Sequence, residues 1–341
     1  MKLNHYPNSV CSPFPFPILA SAKMKTLLAL FLLTLSLALH AQDPDLSQFN
    51  TSPLNINPAF AGSLACGRAS VGYRSQWPKL SSNYQTINAS YDQLFKMGGV
   101  GFNYMHDNEG KGTLVSDRWE MVYAPYFALR KDSTGRGRII IQPGISIGYF
   151  QRKLDFSSLN FGDMIDPRRG FVYPTNDVPN TLKKGNLDFS AGVLVYNKSF
   201  SGGIAVFHFT EPNEGFLGTS KLPMRMVAHG SANIACGGRF VVVPSIVYVK
   251  QQDFQSLFIN LNVFCMRHFS LGVGVRNQDA VVFSAGFHST DHIFIGYSYD
   301  MTTSGLAGTT GGAHEIQLGM LFGPKRWKGT RTNLRAFYGY D

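Results

Sequence analysis

Apolar and polar residues alternate with a period of two through most of this chain. Between Arg138 and Phe150, residues Ile139, Ile141, Ile145, Ile147 and Tyr149 fall on one face of an extended strand, and Gln142, Gly144, Ser146 and Gly148 fall on the other. Leu187, Phe189, Ala191, Val193 and Val195 oppose Asp188, Ser190 and Gly192 in the same way. Val281, Phe283, Ala285 and Phe287 oppose Ser284 and Gly286, and Ile293, Ile295, Tyr297 and Tyr299 oppose Gly296 and Ser298. Successive side chains of a strand point to opposite sides, so each segment reads as a strand with one apolar face. About fourteen such strands can be placed, an even number as in bacterial single-chain barrels. They start near Arg68, Asn83, Met97, Val115, Arg138, Asn186, Phe200, Met224, Arg239, Phe254, Phe269, Ala280, His292 and Ala313.

The strands run about ten residues or more, enough to cross a bilayer at a tilt, whereas strands of soluble sheets average about five or six. Their second face is small and weakly polar, rich in Gly, Ser, Asn and Gln. This reading puts few charges inward, Asp188 and Glu315 being the exceptions, and it places Phe207, Phe209 and Leu321 inside a partly filled lumen. The predicted fold is all-β: a transmembrane antiparallel outer-membrane β-barrel over residues 68–322. Its connections sort by parity. Asn197-Lys198-Ser199, Gly237-Gly238, Arg267-His268 and Ser289-Thr290-Asp291 are tight, while 107–113, 154–184, 211–223 and 301–312 are long. With the N-terminus on the periplasmic side, short turns face the periplasm and long loops the exterior. The last strand alternates through Ile316, Leu318, Met320 and Phe322 and ends on an aromatic residue.

Composition supports this class. Only 15% of the 341 residues are charged, with 35 Gly, 27 Phe and 15 Tyr in their place, against about a quarter charged in soluble proteins. The one long apolar run, Thr26 to Leu39, follows Lys23 and Lys25 and precedes Ala41. It is shorter than the roughly 20 residues of a spanning helix and reads as a signal peptide over 24–41, with Ala41 at the cleavage point. Residues 1–23, with Pro7, Pro13, Pro15 and Pro17, read as a segment upstream of a true start at Met24. Residues 42–67 are expected to form a periplasmic N-terminal segment leading into the barrel, and 323–341, with Lys325, Arg326, Lys328, Arg331 and Arg335, a basic periplasmic tail. Cys66, Cys236 and Cys265 remain after the leader, an odd number at wide spacings that implies neither a disulfide framework nor a metal site.

A set of motifs narrows the reading further. After Asp43-Pro44 and Leu46-Ser47-Gln48-Phe49 come Asn57-Pro58-Ala59-Phe60-Ala61-Gly62, Tyr73-Arg74-Ser75-Gln76-Trp77-Pro78, Ala89-Ser90-Tyr91-Asp92, Gly98-Gly99-Val100-Gly101 and Gly110-Lys111-Gly112-Thr113, then Leu159, Phe161-Gly162-Asp163 and Asp166. In this order and spacing the chain resembles the PorP/SprF family of outer-membrane proteins, associated with type IX secretion and gliding motility. The resemblance spans about Gln42 to Phe322. It implies a barrel that binds periplasmic or outer-membrane secretion components, or that holds a secreted surface protein at the cell exterior.

Each motif also has a plainer physical reading. Asn57-Pro58 initiates a turn, and Ala59-Phe60-Ala61-Gly62 can lead the chain across the barrel base. Tyr73, Arg74, Gln76 and Trp77 share a strand end, where Trp77 suits an aromatic girdle. Asp163 and Asp166 could order a loop through calcium, but turns use Asp for local hydrogen bonds more often. Gly144-Ile145-Ser146-Ile147-Gly148 matches a nucleophile-elbow pattern that requires a strand-turn-helix, and this serine lies mid-strand. His288 and His292 flank a tight turn, not one helix face. No catalytic residue, cofactor or metal is expected, and the chain is read as no enzyme. The net charge of +10 is spread over loops, with Arg168-Arg169 and Lys183-Lys184 about the longest. That favours anionic outer-membrane lipid or an acidic partner over nucleic acid. The leading alternative is a channel for small solutes or hydrophobic ligands.

Overall fold

The computed structural model describes residues 43–322, apart from 65, 111, 132–136, 177, 179, 180, 238, 267, 278, 290, 291 and 306. The expected leader, the upstream segment and the basic tail lie outside the described residues. Fourteen strands build the wall: β1 Gly67–Gln76, β2 Tyr84–Phe95, β3 Gly98–Glu109, β4 Leu114–Ala124, β5 Gly137–Leu154, β6 Lys183–Tyr196 and β7 Phe200–Phe207, then β8 Arg225–Ala232, β9 Phe240–Gln251, β10 Phe254–Cys265, β11 Phe269–Arg276, β12 Ala280–Ser289, β13 Ile293–Thr302 and β14 Ala313–Phe322. Every predicted start lies within a few residues of an observed one. Two short pieces extend the wall: Phe127–Lys131, beyond the break at Pro125, pairs with β5, and Ile234–Cys236 pairs with β9. Proline has no N–H to give the ladder, which is why β4 stops before it.

Each strand pairs antiparallel with its neighbours in sequence, and β1 pairs with β14 from Gly67↔Phe322 to Gln76↔Ala313. The sheet therefore closes into a 14-stranded barrel. Closure satisfies every strand edge, which is what allows a sheet to cross lipid. The connections 77–83, 155–182, 208–224 and 303–312 gather at one end, called here the long-loop end. The tight turns 96–97, 197–199 and 266–268 gather at the other. Two connections at the long-loop end, 252–253 and 277–279, are tight as well.

Burial is inverted relative to a soluble protein. Val71, Ile145, Ile204 and Leu271 are 52%, 60%, 65% and 67% exposed on the outer face, while Asn88, Gln142, Ser298 and Gln317 are fully buried on the inner one. The alternation thus places apolar side chains toward lipid and polar ones toward the lumen. Ile147, at mid-height on the outer face of β5, tests this directly. Ile147→Arg should cost about 2–4 kcal/mol in urea unfolding from lipid vesicles, and an unchanged midpoint would place β5 elsewhere.

Candidate functional site: the occupied lumen

Residues 43–64 do not cross beneath the barrel; they run through it. Asp43, Asp45 and Ser47 meet wall residues near the long-loop end, and Phe60 and Gly62 meet Arg68 and Asp92 near the turn 96–97. The location expected for residues 42–67, a periplasmic lead-in, is corrected accordingly. This segment lacks the period-two pattern because its backbone forms two short 3-10 turns, Pro53–Asn55 and Pro58–Phe60, and its partners come from the wall.

Apolar contacts seat the segment first. Leu54, Ala59, Phe60, Ala61 and Leu64 pack against Val122, Ala124, Ile140, Leu194 and Tyr196, with Leu321 partly buried beside them. Phe49 and Ile56 pack against Ala205, Phe207, Val227, Val247, Val249, Phe258 and Val282. Each large side chain buried this way is worth about 1.5–3 kcal/mol.

The Asn57–Gly62 motif is shaped to the wall. The Asn57 side chain is fully buried; its Oδ1 accepts from Ala59 N at 2.9 Å, and its Nδ2 donates to the carbonyls of Val193 and Ile204 at 3.1 and 3.2 Å. Pro58 starts the 3-10 turn, where a missing N–H costs nothing. The Phe60 ring lies tilted against His229, 5.0 Å between centroids. Gln142 Nε2 donates to the Ala61 carbonyl at 2.7 Å, and Gly62, at φ +65, gives its N–H to Asp92 Oδ2 at 2.8 Å. Inward glycines make the room: a Cβ on Gly144 would strike Ala59, one on Gly99 would strike Ala61, and one on Gly192 would strike Asn57.

Charges then wire the segment to the wall, and they are far more numerous than the two the sequence reading puts inward. Arg74 Nη2 lies 2.8 Å from Asp300 and Nη1 3.2 Å from Glu315, while Arg276 Nη1 lies 3.0 Å from the same Asp300 oxygen. Glu315 accepts the backbone N–H groups of Ser47 and Gln48 at 2.8 and 3.0 Å, and Ser47 Oγ donates to Asp300 at 2.7 Å. Arg276 also reaches Asp45 at 3.4 Å. Arg68 pairs with Asp92 at 2.7 Å. Glu315 is inward as expected; Arg68, Arg74 and Asp300 are single charges toward strand ends, and their parity with Ser70 and Gly72, or with Ser298, is the signal that identifies them.

A second cluster holds the first described residue. Asp43 Oδ2 lies 2.7 Å from His208 Nε2 and 3.2 Å from Arg118 Nη1, and His208 Nδ1 lies 2.7 Å from Asp188 Oδ2. Burial pushes the His208 pKa down, but the Asp43 and Asp188 carboxylates overcome it and hold it at about 9. Burial likewise pushes Asp43 up, and His208 and Arg118 hold it well below the ordinary carboxylate value. His208 has a left-handed backbone, φ 57, which breaks the alternation after β7. For that reason Phe207 is buried in the lumen, whereas Phe209, expected beside it, is 64% exposed.

The remaining motif residues divide. Arg74 belongs to the lumen, but Tyr73 faces outward, and Gln76 is half-buried at the end of β1. Trp77 is half-buried beyond it at φ 57, edge-on to Tyr84 at 5.3 Å. Phe161, Gly162 and Asp163 stand in the loop 155–182, where Phe161 packs on Phe156 and Asp163 accepts from Thr175 Oγ1 and Asn176 N at 3.0 and 2.7 Å. Asp166 accepts from the amides of Arg168 and Arg169, both at 2.8 Å. Asp166 closes a local turn, and Asp163 ties two distant stretches of the loop together. Ser146 is buried mid-strand in β5.

A closed 14-stranded barrel carrying its own N-terminal segment in the lumen is an outer-membrane β-barrel. Residues 38–320 match the family described as type IX secretion system membrane protein PorP/SprF, and the chain belongs to that family. Among solved structures, the CymD monoaromatic hydrocarbon channel is similar with a TM-score of 0.48 at 9% identity, over 80% of this chain and 93% of that one. The Ralstonia pickettii toluene transporter TbuX has a TM-score of 0.46 at 7% identity, over 80% and 92%. Acinetobacter baumannii Omp33 has 0.42 at 7%, over 76% and 99%. No curated protein matches in sequence.

The Asp43 cluster carries a pH dependence of definite sign. The His208 pKa is raised from 6.5 to about 9, so its stabilisation is full below 6.5 and is lost as pH rises through about 9. The Asp43 pKa is lowered from 3.8, so its stabilisation holds above 3.8 and is lost on acidification. The thermal midpoint in detergent should fall between about pH 7 and pH 10. In His208→Gln it should start lower and lose that fall; a variant profile parallel to wild type contradicts the assignment.

Proposed function

We propose that this barrel is a docking and anchoring component of type IX secretion, not a conduit and not an enzyme. The observation that carries the reading is the occupied lumen. Residues 43–64 fill the space a solute would use, and they are held by apolar packing, by ion pairs of Asp43 with Arg118 and His208 and of Asp45 with Arg276, and by the Asp300 and Glu315 carboxylates, which accept from Ser47 and Gln48. Breaking a buried pair costs about 3–5 kcal/mol, and clearing the lumen would separate Asp43 from Arg118 and His208 as well as exposing the apolar side chains of the segment. What is left for partners is the two rims. At the long-loop end, the loop 155–182 presents Ile165, Phe171, Val172 and Tyr173 to solvent. A secreted surface protein would dock there, and secretion components would meet the turn side and the basic tail. Export would use the leader, cleaved after Ala41, and the outer wall would contact membrane lipid.

The test is a crosslinking pull-down from intact outer membranes. It uses a tag after Asp341 and compares wild type with a deletion of residues 167–181. Recovery of secretion components or of one large secreted protein supports anchoring, and the deletion shows which rim holds it. No recovery, together with steady ion conductance or solute uptake by the purified barrel in liposomes, overturns the proposal in favour of a channel.

A further inference from the structure

The outer wall near the long-loop end carries a polar patch that the lumen does not explain. Tyr104, Trp119 and Tyr149 are register neighbours on β3, β4 and β5 and form a row of rings across the wall, with centroid separations of 5.6 and 6.1 Å. Such rows mark the level where lipid tails give way to headgroups. Just above the row, Asp117 accepts from Tyr104 OH at 3.0 Å, contacts His106 Nδ1 at 2.8 Å and takes Lys153 Nζ at 3.3 Å. Lys153 is directly opposite Lys183 in the β5–β6 ladder, and both are exposed.

Like charges directly opposite across a ladder destabilise a sheet. The neighbouring inward pair, Arg152 opposite Lys184, is relieved from within: Arg152 pairs with Glu214 at 2.7 Å, and Lys184 donates to the Gly215 carbonyl. The outward pair is relieved on one side only, by Asp117 at Lys153. Asp117 is shared among three partners, and among the described residues no carboxylate reaches Lys183. We propose that Lys153 and Lys183 bind the phosphate of an anionic lipid headgroup in the leaflet at the long-loop end, with the acyl chains lying against the Tyr104–Trp119–Tyr149 row. Two lysines supply a doubled positive charge at headgroup height, the rings supply an apolar ledge below it, and Tyr104 and His106 add polar edges. The proposal rests on the wall's being lipid-facing and is independent of the anchored partner, so the two readings fail separately.

The experiment is native mass spectrometry of the full barrel released from micelles containing diphosphoryl lipid A, with phosphatidylcholine as the neutral comparison. Wild type should retain lipid A over phosphatidylcholine. Lys153→Gln with Lys183→Gln should weaken retention about twenty-five-fold, the product of about fivefold per lysine near an anionic surface. Lys250→Gln, an exposed lysine on β9, should retain lipid A as wild type does. Equal retention by wild type and the double variant overturns the proposal, as does equal loss in Lys250→Gln. Displacement of the lipid by millimolar inorganic phosphate also overturns it, in favour of a free-anion site. Heat-dependent gel mobility reports folding, and if the double variant does not fold, Lys183→Gln alone carries the comparison with about a fivefold loss.

Discussion

Arg74 and Arg276 converge on one carboxylate oxygen of Asp300, and the rest of the lumen is arranged around that meeting. A charge removed from water is tolerated only when it is paired and hydrogen-bonded. The two guanidinium groups come from β1 and β11 and the carboxylate from β13, so the cluster can assemble only when the sheet has closed. Glu315 of β14 joins through Arg74 and then grips the amides of Ser47 and Gln48. The partners of Ser47 and Gln48 are therefore assembled by wall closure.

The glycines of the inner face take on a meaning in this light that composition alone does not supply. Small inward residues are compatible with an open lumen, and a channel reading rests partly on them. At Gly99, Gly144 and Gly192, however, the space is taken by the backbone or side chain of Ala61, Ala59 and Asn57. The small residues are the imprint of the Asn57–Gly62 turn. The motif and its socket are complementary in shape, and side-chain amides cross between them: Asn57 donates to the carbonyls of Val193 and Ile204, and Gln142 to that of Ala61.

The wall was legible from sequence because period-two alternation is a direct consequence of strand geometry and one-sided burial. It placed all fourteen strands, and the break at Pro125 is readable from the residue itself. The lumenal segment was not legible. Its residues are held by partners hundreds of positions away, such as Ser47 with Asp300, so no local period marks it. The inward charges were hidden for a related reason: Arg68, Arg276 and Asp300 stand near strand ends, where a charged residue reads equally well as a solvated turn. Phe209 was misplaced because a left-handed His208 interrupts the alternation, and nothing local in the sequence announces that bend.

The central claim is that residues 43–64 occupy the lumen in the membrane, and an engineered crosslink tests it most directly. Ser52 Oγ and Ser70 Oγ lie 2.9 Å apart, one on the lumenal segment and one on the inner face of β1. In a Cys66→Ser background, Ser52→Cys with Ser70→Cys should form a disulfide in intact outer membranes, identified by mass spectrometry of the joined peptides. Failure to crosslink, with both cysteines labelled by a water-soluble thiol reagent, would mean that the lumen is open and the segment lies elsewhere.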